Sequence, residues 1–183
     1  MIDVHVLTHS GTRPEWLAQC LESLEGHPVV VHVVEGVEGS VGAGRAKGFA
    51  LGDCEFVSYV DSDDFVLPGH FEKCLTGLED HRSVVCVERV ILADNSCGGT
   101  FRRGHNGAVY RRADIERLLL GIAAAAYTCD SLTRRELSPK QLLHVGCVWR
   151  VHGRGAHRKI AFDISRTELL AWREALRNAG GEA

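Results

Sequence analysis

Four prolines, one methionine and 7% aromatic residues are all that these 183 residues hold of those kinds. Apolar runs are short as well. A membrane span needs about 18–20 consecutive apolar residues, whereas the longest stretch, Leu118 to Tyr127, is broken by Gly121. The first ten residues have no basic segment leading into a long apolar one, so no signal peptide is expected. No C-x-x-C occurs among Cys20, Cys54, Cys74, Cys86, Cys97, Cys129 and Cys147, and their number is odd. Neither a zinc site nor a disulfide framework is therefore expected, and reduced thiols in a cytoplasm are the simpler reading. Internal repeats, low-complexity tracts and linkers are missing too, which leaves one domain over residues 1–183.

The composition that is present, 45% hydrophobic and 25% charged, is that of a globular protein. The formal charge of −3 conceals two opposed halves. Residues 1–92 carry 6 Lys/Arg against 15 Asp/Glu, and residues 93–183 carry 15 against 9. Within 100–160 the ratio is 12 to 4, with His105, His144, His152 and His157 interspersed. A solvated basic face explains such a split equally well as a division of labour, in which one half manages a cation and the other meets an anion.

Apolar runs at Ile2–Leu7, Val29–Val34 and Phe56–Val60 predict strands, with amphipathic helices between them. Thr12 and Glu15 fit a capping box before a helix that carries Trp16, Leu17, Cys20, Leu21 and Leu24. Gly36 to Gly44 reads as a glycine-rich loop, followed by a helix from about Arg45 to Leu51. Continuous apolar strands alternating with helices predict an α/β fold with a mostly parallel sheet flanked by helices. The second half reads as a smaller, mixed unit of short strands and helices. Ser165 and Glu168 fit a second capping box at the start of the last helix. Trp16 and Trp172 are expected in the core, whereas Trp149 fits either core or groove.

Asp61-Ser62-Asp63-Asp64 closes the third strand. Open α/β sheets bind ligands beyond the carboxyl ends of their strands, and clustered carboxylates repel one another unless a cation intervenes. A hard divalent ion suits such oxygen donors; an Asp-rich surface turn is the plainer alternative. Gly42 to Gly48 includes Arg45 and Lys47, which at a helix start would favour an anion such as a diphosphate. Neither a Walker A loop nor G-x-G-x-x-G is present.

The order of these features over Val4 to Pro68 resembles the donor half of glycosyltransferase family 2, inverting enzymes of the GT-A fold. Thr8 and Arg13-Pro14-Glu15-Trp16-Leu17 match its opening loop and helix, Glu35 its second strand end, Arg45 its arginine-bearing helix, and Asp61 to Asp64 with Pro68 its acidic motif. Farther on, Gly107–Arg112 is similar to the strand before the acceptor-site helix, Tyr127–Leu132 to the motif that supplies the base, and Val148–His152 to the late histidine-bearing strand. Glu35 stands where an aspartate pair is usual, and Cys129 where a second acid is common.

The resemblance implies a donor and metal half over 1–92 and an acceptor half over 93–183. It implies donor contacts from Thr8, Arg13, Glu35, Arg45, Asp61 and Ser62, and a divalent ion, Mn²⁺ or Mg²⁺, on Asp63 and His152, with His157 as substitute. Asp130 would be the catalytic base, although an aspartate at a helix start is also an ordinary cap. Arg111, Arg112 and Trp149 would meet the acceptor. The expected donor is a nucleotide sugar, with UDP-sugars first. The basic second half would suit an anionic acceptor, of which DNA bearing a hydroxymethylated base is one concrete case; protein and glycan acceptors stay open. A sugar-phosphate nucleotidyltransferase and a non-catalytic binding module are the rival classes.

Overall fold

The computed structural model describes residues 1–92, 94–102, 104–152 and 162–180. The chain runs β1 (Ile2–Thr8), α1 (Pro14–Ser23), β2 (Val29–Glu35), α2 (Val41–Phe49), β3 (Phe56–Asp61), β4 (Phe65–Val66), α3 (His70–Gly77), β5 (Ser83–Leu92), β6 (Cys97–Arg102), β7 (Val109–Arg111), α4 (Arg112–Ala124), α5 (Cys129–Leu137), β8 (Lys140–Val151) and α6 (Phe162–Gly180). One sheet in the order β2-β1-β3-β7-β5-β8-β4, with β6 on β5, joins both halves. The expected parallel arrangement holds for β2-β1-β3 and for β5-β8, while β7, β6 and β4 join antiparallel. The sheet is therefore mixed, with one parallel part at β2-β1-β3 and another at β5-β8.

The sheet is covered on both faces, each with its own core. Ile2, Val4 and Val6 pack with Cys20, Leu24, Val60, Phe71 and Leu78 on one side. On the other, Val57 and Tyr59 of β3 pack with Tyr110, Ile115, Ile122 and Trp172. Each fully buried aliphatic or aromatic side chain contributes about 1.5–3 kcal/mol, so these two clusters hold the helices on the sheet. Trp172 fills the space over Gly121, whose added Cβ would come within 2.9 Å of the indole.

The glycine-rich segment corrects one expectation. The loop ends at Ser40 and not at Gly44: α2 begins at Val41, with the Ser40 side chain accepting from the Ala43 amide as its cap. Gly42, Gly44 and Gly48 lie within the helix and let it lie flush on its neighbours. A Cβ at Gly42 would run into the Ile122 and Ala125 carbonyl oxygens, one at Gly44 would meet Leu7 at 2.7 Å, and one at Gly48 would meet Val34 at 3.1 Å. Close approach outweighs the ~1 kcal/mol helix cost of each glycine. Arg45 thus lies one turn inside a packed helix, not at its start.

Both predicted capping boxes are corrected as well. With Pro14 at the first turn, the residue that caps α1 is Arg13, which makes no side-chain cap bond. Thr12 instead accepts from the His9 amide and meets Ser62 Oγ at 3.1 Å. Glu168 turns to the α4–α5 connection and accepts from the Tyr127 and Thr128 amides and the Thr128 hydroxyl.

Candidate active site at the strand ends

Three strand ends build the floor of the site. In the parallel register Thr8 lies beside Glu35 and Leu7 beside Asp61, so the ends of β1, β2 and β3 are level. Thr8 is half-buried and donates to the Val34 carbonyl at 3.2 Å, and Glu35 is exposed with its carbonyl accepting from Lys47. The 9–12 loop crosses over Ser62, which is fully buried.

The carboxylates of the acidic motif are held differently. Asp61 accepts from Arg45 Nη2 at 2.7 Å and from His105 Nε2 at 3.3 Å. Burial alone would raise its carboxyl; the Arg45 charge and the His105 bond overcome that and hold it well below the usual carboxylate range. Asp64 is buried and accepts from Asn106 Nδ2 and the Arg150 amide, each at 2.6 Å. Burial, then the adjacent Asp63 and Asp61 charges, push its carboxyl up. Asp63 is half-buried and accepts from His152 Nε2 at 2.6 Å.

Arg45 ties this motif to the second half. Its side chain is 1% exposed, and the same Nη2 that holds Asp61 reaches Asp130 at 3.3 Å. The guanidinium lies 5.0 Å from the Tyr59 ring centre. Its Nε and Nη1 make no hydrogen bond among the described residues. Burial opposes the charge, but Asp130 and Asp61 raise the guanidinium's proton affinity further. Asp130 sits in the first turn of α5.

Trp16 is not in the core, contrary to expectation. It is half-buried at the rim, with the Arg13 guanidinium 4.3 Å and that of Arg150 4.8 Å from its ring, and His152 4.9 Å away centre to centre. This stack gathers two cations and an imidazole beside Asp63. Trp149 is half-buried against Phe101, ring centres 5.8 Å apart. Trp149 pairs with Val90 and Phe101 with Glu88, which puts both rings on the sheet face where Glu88 accepts from the Asn106 amide.

Sequence reasoning missed His105 and Asn106. Asn106 is fully buried, accepts from the Asp61 amide at 3.0 Å and donates to Asp64, so it fixes both ends of the motif. Burial works against a charged His105, but the Asp61 bond and the nearby Asp130 and Glu88 charges push its pKa up to about 9. The only sequence signal for the pair is a polar His-Asn-Gly turn before β7.

Arg111 and Arg112 are not brought to this end. β7 runs antiparallel to β3 and sets Arg111 beside Phe56, at the opposite end of the strands. There Arg111 pairs with Glu55 at 2.8 Å, and Arg112 with buried Asp3 at 2.5 Å while also donating to the Cys54 and Phe49 carbonyls. His157 lies outside the described residues.

Single carboxylate oxygens of Asp61, Asp63 and Asp64 lie within 4.8 Å of one another. Asp63 has an imidazole, His152, as its partner, and the repulsion that adds to burial in raising Asp64 is of the kind a cation relieves. This mostly oxygen donor set fits a hard divalent ion.

A helix-flanked mixed sheet with an acidic motif at the end of a parallel strand defines a GT-A fold. The sequence model "Glycosyl transferase family 2" matches residues 15–140, and the chain belongs to that family. None of the curated proteins matches it in sequence. Among solved structures it is similar in fold to S. aureus TarS 1-349 in complex with UDP-GlcNAc (TM-score 0.66, 11% identity, 93% of this chain and 66% of that one). The same protein in complex with UDP gives TM-score 0.65 at 13% identity over 93% and 65%. The chain spans just under two thirds of those TarS chains.

Proposed function

We propose that the chain is a metal-dependent inverting glycosyltransferase that moves a sugar from a UDP-sugar to an acceptor hydroxyl. The observation that carries this reading is the Arg45 guanidinium joining Asp61 to Asp130. It couples the donor-side acidic motif to a carboxylate from the other half, beside the Asp63–His152 pair. A pure binding module has no need of that second carboxylate. The solved TarS complexes, with UDP-GlcNAc and UDP, support starting with uridine donors.

Asp63 and His152 would hold a divalent ion, Mn²⁺ or Mg²⁺, which when bound supplies Lewis-acid stabilisation of the departing diphosphate. Thr8, Glu35 and Asp61 line the level strand ends and receive the nucleoside, whereas Ser62, expected among the donor contacts, is buried and holds the 9–12 loop through Thr12. Arg13, exposed and stacked on Trp16, faces the diphosphate with positive charge, while buried Arg150 backs the same ring and donates to Gln19. Asp130 takes the acceptor hydroxyl proton on its carboxylate as the new C–O bond forms and the bond to the diphosphate breaks, the leaving oxygen keeping the electron pair. One displacement inverts the anomeric carbon and needs no enzyme nucleophile. Arg45 acts as a positioning residue for both carboxylates rather than as a diphosphate ligand, because its guanidinium is enclosed.

The Phe101–Trp149 pair is the proposed acceptor platform, since aromatic faces suit sugar rings and bases alike. The basic second half favours an anionic acceptor less than its composition suggested: Arg111, Arg112 and Arg117 are committed to Glu55, Asp3 and Asp114. Seven free thiols fit a reducing cytoplasm. The test is to incubate the protein with UDP-GlcNAc and Mn²⁺ and a panel of glycans, peptides and hydroxymethylated duplex DNA, and to read UDP release and product anomeric configuration. Inverted product with any acceptor supports the reading; retained configuration overturns it, as does absence of turnover with every UDP-, GDP-, CMP- and dTDP-sugar.

A further inference from the structure

Away from the acidic motif, α3 and β8 bring together a second set of metal-ligating side chains of different chemistry. His70 and Cys74 stand one helical turn apart on the buried face of α3, and His144 enters from β8. His70 Nδ1 and His144 Nε2 are 3.0 Å apart, and Cys74 Sγ lies 3.6–3.7 Å from the two His70 ring nitrogens. One donor atom from each of the three falls within 4.8 Å of the others.

We propose that His70, Cys74 and His144 form a zinc site that clamps α3 to β8, with the fourth position open to water. The inference is independent of the glycosyltransferase reading. A tetrahedral ion with Zn–N about 2.0–2.1 Å and Zn–S about 2.3 Å implies N···N edges of about 3.3 Å and N···S edges of about 3.6 Å, close to the 3.0 Å and 3.7 Å that separate His70 Nδ1 from His144 Nε2 and Cys74 Sγ. The tautomer is set for it. A carbonyl only accepts, so the 2.8 Å contact to Gly107 O means that His70 Nε2 carries the proton and Nδ1 presents its lone pair to the cluster. A second ring nitrogen anchored on a backbone carbonyl is the usual support of a metal-bound histidine.

The surroundings are shaped around that ring. A Cβ on Gly146 would collide with His70 Nδ1, and one on Gly107 would come within 2.6 Å of Nε2. Cys86 and Cys147 also bring their sulfurs within 4.8 Å of a His70 nitrogen, which deepens the soft character of the pocket. His144 is only half-buried and gives an entry path from the surface. Imidazole and thiolate donors select zinc over the Mg²⁺ or Mn²⁺ suited to Asp63, so the two sites differ in the ion they take. The sequence gives no hint because the ligands are of mixed type and His144 lies far along the chain from His70 and Cys74.

The test uses full-length, tag-free protein, with zinc measured by elemental analysis and Co²⁺ as an optical probe of thiolate ligation. One retained equivalent of zinc is expected in the wild type and equally in Asp63→Ala, with a sulfur-to-cobalt charge-transfer band on Co²⁺ loading. Cys74→Ser should lose the band and His144→Ala the bound equivalent. Because His144 is half-exposed, that variant keeps the test open if the Cys74 variant fails to fold. Wild-type protein that retains no zinc, cannot be loaded with it, or holds it equally well in His144→Ala overturns the proposal.

Discussion

Arg45 and Asp130, 85 positions apart in the chain, meet at 3.3 Å on the guanidinium nitrogen that also holds Asp61 at 2.7 Å. A buried cation between two carboxylates fixes both, and removing it would leave Asp61 and Asp130 to repel each other. Arg45→Met is therefore expected to lower turnover by about 10²-fold or more and to destabilise the fold by about 3–5 kcal/mol, the range for breaking a buried ion pair. Steady-state kinetics with urea unfolding check both. Arg45→Lys should recover part of the stability and little of the activity, since one ammonium cannot copy the planar fork.

Asp130→Asn keeps the shape and the Arg45 contact but cannot take a proton. A general base contributes about 10²–10⁴-fold. The expected outcome is a kcat loss in that range with donor affinity nearly unchanged, read by turnover and by calorimetric UDP binding. Equal loss of binding and turnover would instead make Asp130 a donor ligand.

Arg112→Ala is expected to act on stability alone. Its guanidinium meets Asp3 at the far end of the strands, and Asp3 is 1% exposed. Leaving that carboxylate without its cation should cost about 3 kcal/mol, with the KM for the donor unmoved. The acid limb follows from the same group. Burial alone would raise the Asp3 carboxyl, but His32, the Cys54 amide and Arg112 hold it below its ordinary value. Its contribution is complete above about pH 4, the unfolded carboxyl range, and is lost as pH falls through the lower folded value. Urea midpoints between pH 3 and 5 should accordingly shift less with pH in Asp3→Asn than in the wild type.

Much of the first half was legible because it is written in local signals. Ile2–Leu7 and Phe56–Val60 are continuous apolar strands, and Asp61 to Asp64 follows at the place where a parallel strand ends. Asp63, His152 and Asp130 were each picked out, and Asp63 does meet His152 at 2.6 Å. What escaped depends on contacts between distant segments. Glycines at 42 and 44 read as loop until α2 is seen pressed against Leu7 and the end of α4. Arg111 and Arg112 read as free cations because nothing local reveals that β7 runs antiparallel, which carries them to Glu55 and Asp3. Asn106 carries no charge and no periodic signal, yet its one amide group binds the Asp61 backbone and the Asp64 carboxylate together.

The most direct measurement is calorimetric titration of UDP into wild-type protein and Asp63→Ala, each with and without added Mn²⁺. The account predicts binding by the wild type that strengthens at least tenfold with Mn²⁺ and an Asp63→Ala variant that loses that gain, about the 10–100-fold seen when a metal's supporting residues are removed. UDP binding of equal strength in both proteins, indifferent to Mn²⁺, would contradict it.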